Sequence, residues 1–386
     1  MRRLVLSANA SLRKGGQGLN LYHLIEELKA DFDLTVFCRD QSAAPSMAMH
    51  AVPESSISKF ISKIPVLRRR RDWQTFFSEV HFDRYVAQRL PEADLFLGVV
   101  GQCAASMELA RKKGYGTLLE VITAHIDEFG GAADRECAKF GVHSPQHPKL
   151  QERIRREYEL ADRIMVVSQY VRDTFVARGF REDRILVSPP PINVDEFPQA
   201  DFSEPKFRVC FVGGLDPWKG FHYLIDAFRQ LKVPDAELVL WGGTGSRPVA
   251  KYIADSKRAD PRIKTNVVDV RQFGYERVYG KSSVLVHPSL SDGFAYVVAE
   301  AMASGIPVIV TATTGAAQFV VDGQSGYVVP PGDSAVIRDR LQYLADSPSV
   351  LRKMGQAARE AIRELTMDRF RRRLVSCLSA IARENP

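Results

Sequence analysis

Short, continuously apolar runs rich in β-branched residues alternate with helix-length segments along this chain, and that alternation constrains its fold more than any other feature. Runs at 4–8, 34–38, 95–100, 117–122 and 163–167 form one series, and runs at 208–212, 237–241, 284–287 and 307–311 form a second. Each is nearly continuously apolar instead of alternating, as strands buried on both faces are. The intervening stretches, such as 19–29, 169–178 and 221–231, are long enough for helices. Strand–helix–strand alternation gives parallel sheets with right-handed crossovers, so the expected fold class is α/β.

Where the first series gives way to the second, the stretch 188–205 holds several prolines and little periodicity. The expected organisation is a first Rossmann-like domain over 1–190, a proline-rich linker over 191–205 and a second domain over 206–366. The basic stretch at 368–382 reads as one long helix.

Composition narrows the function. With 45% hydrophobic and 26% charged residues, the chain has the apolar material for a real core. A formal charge of +7 favours anionic substrates or an anionic surface. It is too small to indicate nucleic acid, and no recognition helix, zinc finger or aromatic-basic RNA motif accompanies it. The five cysteines show no C-x-x-C spacing, which argues against a zinc site or disulfide framework and fits a reducing cytosol. No run of about 18 apolar residues exists to span a membrane. The opening MRRLVLSANASLRKGG lacks the apolar core expected of a signal peptide.

The strongest chemical signal is the stretch 288–311, PSLSDGFAYVVAEAMASGIPVIVT. A buried strand runs into a loop, Asp292 and Gly293 lead into a helix over 293–304 that holds Glu300, and Gly293, Phe294 and Ala295 at its start are expected to border the donor. Ligands of open parallel sheets bind beyond the carboxyl ends of strands, where the dipole and free N–H groups of a helix start suit a diphosphate. Asp292 and Glu300 would stand about 12 Å apart along a helix axis, so they could touch opposite ends of an extended ligand but not one atom. A second signal is FVGGLDPWKG at 211–220, where glycines admit a phosphate close to the backbone and Lys219 supplies a point charge. The loop RKGGQG at 13–18 sits after the first strand as an ordinary anion turn would, and alone is a weak signal.

The 288–311 segment resembles the acidic-x7-acidic motif of the retaining GT-B glycosyltransferases of family 4, the large group 1 class, and the resemblance runs nearly the length of the chain. It implies a GT-B architecture, two Rossmann-like parallel-sheet domains facing each other across a cleft, with the C-terminal helix over 367–386 packing back on the first. It implies a nucleotide-diphosphate sugar as donor, transfer with retention, and no cofactor. By that resemblance Asp292 contacts the donor sugar and Glu300 the ribose, while Lys219 meets the diphosphate. Gly15 and Gly16 belong to the loop where acceptor and donor phosphates meet, and Gly243 to the turn near the nucleotide, whose base faces 268–273. His125 matches a histidine that hydrogen-bonds the transferred sugar; a packing histidine is the competing reading. The chain departs from the family twice: Asp292 stands where a glutamate is usual, and Gly214 where an arginine is usual.

No side-chain nucleophile stands out, which suits a path in which the acceptor attacks the face the diphosphate leaves. No Asp-x-Asp lies at a strand's carboxyl end, since Asp31-Phe-Asp33 precedes a strand, and a metal-free reaction is expected. Lys59, Lys63, Arg68, Arg69, Arg70 and Arg71 are six cations without an acid between 55 and 71. They would hold a lipid-linked or phosphorylated acceptor of an envelope glycan, or lie on anionic lipid, unless they are a solvated run. The expected setting is cytoplasmic, at the inner face of the membrane. A nucleotide-sugar epimerase and a non-catalytic scaffold of the same fold are the rivals.

Overall fold

The computed structural model describes residues 1–40, 48–57, 60, 64, 70–203, 206–267 and 273–384. Lys59, Lys63, Arg68 and Arg69, and all of the expected base-facing segment except Phe273, lie outside the described residues.

The chain divides into two compact units, the first comprising 1–130, 143–191 and 367–386 and the second 131–142 and 192–366. In the first, β1 (Arg2–Ser7), β2 (Phe32–Cys38), β3 (Ala48–Ala51), β4 (Leu95–Val99), β5 (Gly116–Val121), β6 (Arg163–Val166) and β7 (Ile185–Val187) form one parallel sheet. Its order is β3-β2-β1-β4-β5-β6-β7, and Leu4 of β1 lies opposite both Leu34 and Leu95. The apolar run of β1 is buried because helices cover the sheet. The Gly15–Leu28 helix contributes Leu21, Leu24 and Leu28, and the C-terminal helix Met367–Glu384 contributes Phe370, Leu374, Leu378 and Ile381. Those four recur at helical spacing and make one apolar stripe. Arg371–Asp31 at 2.8 Å and Arg163–Glu384 at 2.6 Å tie the rim of the same helix, but such exposed pairs add little beside the stripe. Asp33 lies inside β2 instead of ahead of it, and Asp31 is spent on Arg371.

The second unit holds β8 (Arg208–Val212), β9 (Glu237–Trp241), β10 (Ile263–Asn266), β11 (Val284–His287), β12 (Val308–Thr311) and β13 (Gly326–Val329). They pair in parallel in the order β10-β9-β8-β11-β12-β13 around a core that includes Val209, Phe211, Leu224, Phe228, Leu238, Val286 and Ile309.

Three boundaries differ from the expectation, each for a physical reason. Residues 131–142 fall in the second unit, because Glu136 meets His222 at 3.1 Å, Lys139 meets Glu136 at 2.9 Å, and Phe140 packs on Phe221. The expected linker is docked over most of its length. Its N–H groups find carbonyls of the second unit, Ile192 to Leu365 at 2.8 Å, Ala200 to Ser304 at 2.8 Å and Asp201 to Gly280 at 2.9 Å. The helix of the acidic motif starts at Tyr296, since Ala295 takes a left-handed conformation that no helix continues through. Among the described residues, no helix is long and apolar enough to cross a membrane.

Candidate active site

Strand order reverses between β8 and β11 in the second sheet, and between β1 and β4 in the first. At such switch points the loops leaving the carboxyl ends part and form a crevice that binds ligands. Lys219 leaves β8 and Asp292 leaves β11, so two expected site residues meet at the second sheet's switch point.

Backbone geometry dictates how closely those loops approach. Gly220 ends the Pro217–Lys219 turn at φ 71°, and a Cβ there would lie 2.0 Å from the carbonyl oxygen of Pro288. Only glycine fits. The loops are then stitched by Leu290 N–H donating to Trp218 O at 2.8 Å and Ser289 Oγ to the same oxygen at 3.2 Å.

The ammonium of Lys219 rests directly on Oδ2 of Asp292, and His287 Nε2, on the last residue of β11, lies 2.9 Å from the same oxygen. The main chain of Asp292 is held too, its N–H donating to Thr313 O at 3.0 Å and its carbonyl accepting from Gly315 N–H at 2.9 Å. Burial acts to raise the carboxyl's pKa, but the charge of Lys219 and the His287 bond outweigh it and keep it well below the usual carboxylate range. Burial lowers the pKa of His287, whose Nδ1 has no hydrogen-bond partner. A neutral ring with its proton on Nε2 is the form this geometry satisfies.

Glu300 is 3% exposed on the Tyr296–Ala303 helix and accepts a hydrogen bond from Tyr279 at 2.7 Å. Burial and then the Glu300 charge push that phenol well above its ordinary value. Gly293 and Phe294 are buried, and Phe294 O accepts from Ala316 N–H at 2.8 Å. Gly214 is exposed, and a Cβ there would come within 2.9 Å of the Asp216 carboxylate; at Gly243 one would come within 2.9 Å of Val267. Phe273 packs on Trp241 with ring centres 5.2 Å apart.

In the first unit, Asn9 N–H donates to Gln102 Oε1 at 2.6 Å, joining the turns after β1 and β4. Gly15 and Gly16 are exposed at the helix start, but the glycine the turn needs is Gly18, where a Cβ would lie 2.0 Å from Ser11 O. Arg13 and Ala295 are the described non-glycine residues with positive φ, at 59° and 64°. Each lies in a switch-point turn, where backbone strain tends to concentrate when a site needs it. No sequence pattern announces that strain.

His125 follows β5 in the first unit. Its ring packs on Tyr158, Phe175 and Phe180 with centres 5.0, 5.0 and 5.8 Å away, and its Nδ1 accepts from Asp127 N–H at 3.3 Å. Burial lowers its pKa to about 4. These contacts fix the ring through its faces and Nδ1 and do not involve Nε2. Of the basic run, Arg70 is engaged by Asp72 through two bonds of 3.0 and 2.8 Å.

Two parallel sheets covered by helices, the second with a lysine–carboxylate pair at its switch point, define a doubly wound, Rossmann-like class of α/β protein. The profile described as "Glycosyl transferases group 1" matches residues 194–361, and that of "Glycosyltransferase Family 4" matches 14–196. The chain belongs to glycosyltransferase family 4. It is 31% identical over 173 residues to a trehalose synthase of Pyrococcus horikoshii, 42% of this chain and 41% of that one. The chain spans about half the length, or less, of the curated relatives it matches, at 41% and 52% for two trehalose synthases. The fold matches sucrose-phosphate synthase from Thermosynechococcus elongatus at a TM-score of 0.76 and 20% identity, over 99% of each chain. It also matches Anabaena Alr3699/HepE in complex with UDP-glucose at 0.73 and 17% identity, over 98% of this chain and 100% of that one. These likenesses establish a GT-B fold.

Proposed function

We propose that this chain transfers a sugar from a nucleoside-diphosphate sugar to an acceptor, with retention at the anomeric carbon and without a metal ion. The observation that carries the reading is the meeting of Lys219 and Asp292 at the second sheet's switch point. Family membership and a fold shared with a UDP-glucose complex support the same donor class.

In this reading the donor's diphosphate lies over the turn after β8 and the start of the Tyr296–Ala303 helix. Lys219 and the helix dipole stabilise the charge that grows on the leaving oxygen. Asp292 orients a hydroxyl of the transferred sugar, and Glu300 holds the ribose once Tyr279 yields or shares it. The acceptor oxygen bonds to the anomeric carbon on the face from which the phosphate oxygen departs, and the acceptor's proton passes to that oxygen. The first unit's switch point, around Asn9, Arg13, Gly15 and Gly16, is the proposed acceptor side. Ile57 and Phe60, 55% and 65% exposed beside the basic run, support an acceptor presented at an anionic surface.

The test is to incubate the protein with UDP-, GDP- and ADP-glucose and anionic-lipid extracts, with and without EDTA, and to read the product's anomeric configuration by NMR. Retained configuration at an undiminished rate in EDTA is expected; an inverted product or a strict metal requirement contradicts it.

A further inference from the structure

Asp292 is held by two donors on one oxygen, and the two differ in kind. Lys219 approaches from a turn and carries a charge that a diphosphate competes for. His287 approaches from β11, where its backbone position opposite Val310 is fixed by the sheet. Its ring is 2% exposed and stacks on Phe211 at 6.2 Å and 10°. Neither contact uses Oδ1 of Asp292.

We propose that His287 is a positioning residue for Asp292, keeping Oδ2 in place when Lys219 turns to a donor's diphosphate so that Oδ1 meets a sugar hydroxyl. The inference rests on the donor reading above. When Lys219 leaves, a largely buried carboxylate loses its compensating charge, and a carboxylate left without a donor would turn or take up a proton. His287 prevents both. A neutral ring with Nδ1 unbonded has a single N–H to give, and the 2.9 Å contact places it on Asp292. Being uncharged, it does not compete for the phosphate, and it leaves Asp292 its full negative charge beside a sugar carbon that becomes positive in the transition state. The strand, not the loop, thus sets where the carboxylate stands.

The role is separable from packing by experiment. His287→Phe keeps a ring over Phe211 and removes the donor, while His287→Gln restores an N–H near the position of Nε2. Calorimetry with UDP and with UDP-glucose is expected to show His287→Phe binding UDP within about twofold of the natural protein but UDP-glucose about tenfold more weakly. His287→Gln is expected to recover most of that loss. Equal weakening toward both ligands, or none toward UDP-glucose, overturns the proposal. The same pair of measurements is made with GDP or ADP and its glucose conjugate where UDP does not bind; if the natural protein binds none of them, the donor reading fails and this inference with it, whereas normal binding with an unaffected His287→Phe sinks the inference alone. Should His287→Phe not fold, the ring's tautomer in the natural protein decides. Long-range 1H–15N spectra must show the proton on Nε2 between pH 6 and 8; a proton on Nδ1 removes the bond and the proposal.

Discussion

The ammonium of Lys219 touches Oδ2 of Asp292 across 73 residues of sequence, joining the turn after β8 to the loop after β11. The contact places a cation and a carboxylate at one switch point, and it fixes what each loses without the other. Lys219→Met is expected to fold, to cost about 1–3 kcal/mol of stability because Asp292 keeps only His287, and to weaken nucleotide binding at least about tenfold. Urea unfolding and calorimetry on the same preparation measure both. Unchanged nucleotide affinity would remove Lys219 from the site.

Tyr279 and Glu300 form a buried pair at 2.7 Å, so the acid of the motif has a structural partner as well as a proposed ligand. Tyr279→Phe leaves the carboxylate short of one donor and is expected to cost about 1–3 kcal/mol in urea unfolding. A loss below experimental error would mean that Glu300 finds another donor at no cost.

Two glycine substitutions separate steric need from mere presence in a motif. Gly220→Ala forces a Cβ against Pro288 O, and with its positive φ is expected to destabilise the protein by more than about 2 kcal/mol. Gly15→Ala meets nothing within 4 Å and should cost only the left-handed backbone, about 1 kcal/mol. The reverse change at a strained residue, Ala295→Gly, is expected to raise thermal stability by relieving φ 64°. Equal effects of Gly220→Ala and Gly15→Ala in thermal unfolding would contradict the geometry.

Glu120 of β5 is 1% exposed, accepts from Asn20 through Oε1, and has no partner on Oε2. Burial pushes its carboxyl up to about 7 despite the Asn20 bond. The folded state therefore binds the proton more tightly than the unfolded state, and stability must fall as pH rises from the ordinary carboxylate range through about 7. By pH 8 the loss is on the order of 3 kcal/mol. Glu120→Gln keeps the acceptor for Asn20 and is expected to flatten that slope in unfolding curves at pH 5, 6.5 and 8. A slope identical to that of the natural protein would mean Glu120 ionises freely.

Central strands were legible because burial on both faces demands continuous apolar runs; β1, β4, β8 and β11 follow the runs closely. The strands not anticipated are β3, β7, β10 and β13, which lie at or next to sheet edges. There one face can stay wet, and stretches such as AMHA and IKTN carry too little apolar signal to be told from loop. Lys219 and Asp292 were legible through their motifs, whereas His287 fell inside the 284–287 strand run with no motif of its own. Its bond to Asp292 follows from the loop folding back over the strand end, a tertiary fact with no local signature. The motif view also placed weight on Gly15 and Gly16, while the chain's own sterics place it on Gly18.

The most direct test of the account is calorimetric and thermal-shift binding of UDP, GDP and ADP to the natural protein and to Lys219→Met. One nucleotide is expected to stabilise the natural protein by about 2.7 kcal/mol at a hundredfold excess over its dissociation constant, and Lys219→Met far less at that concentration. Stabilisation by none of the three, or by one of them equally in both proteins, would contradict a donor site at the meeting of Lys219 and Asp292.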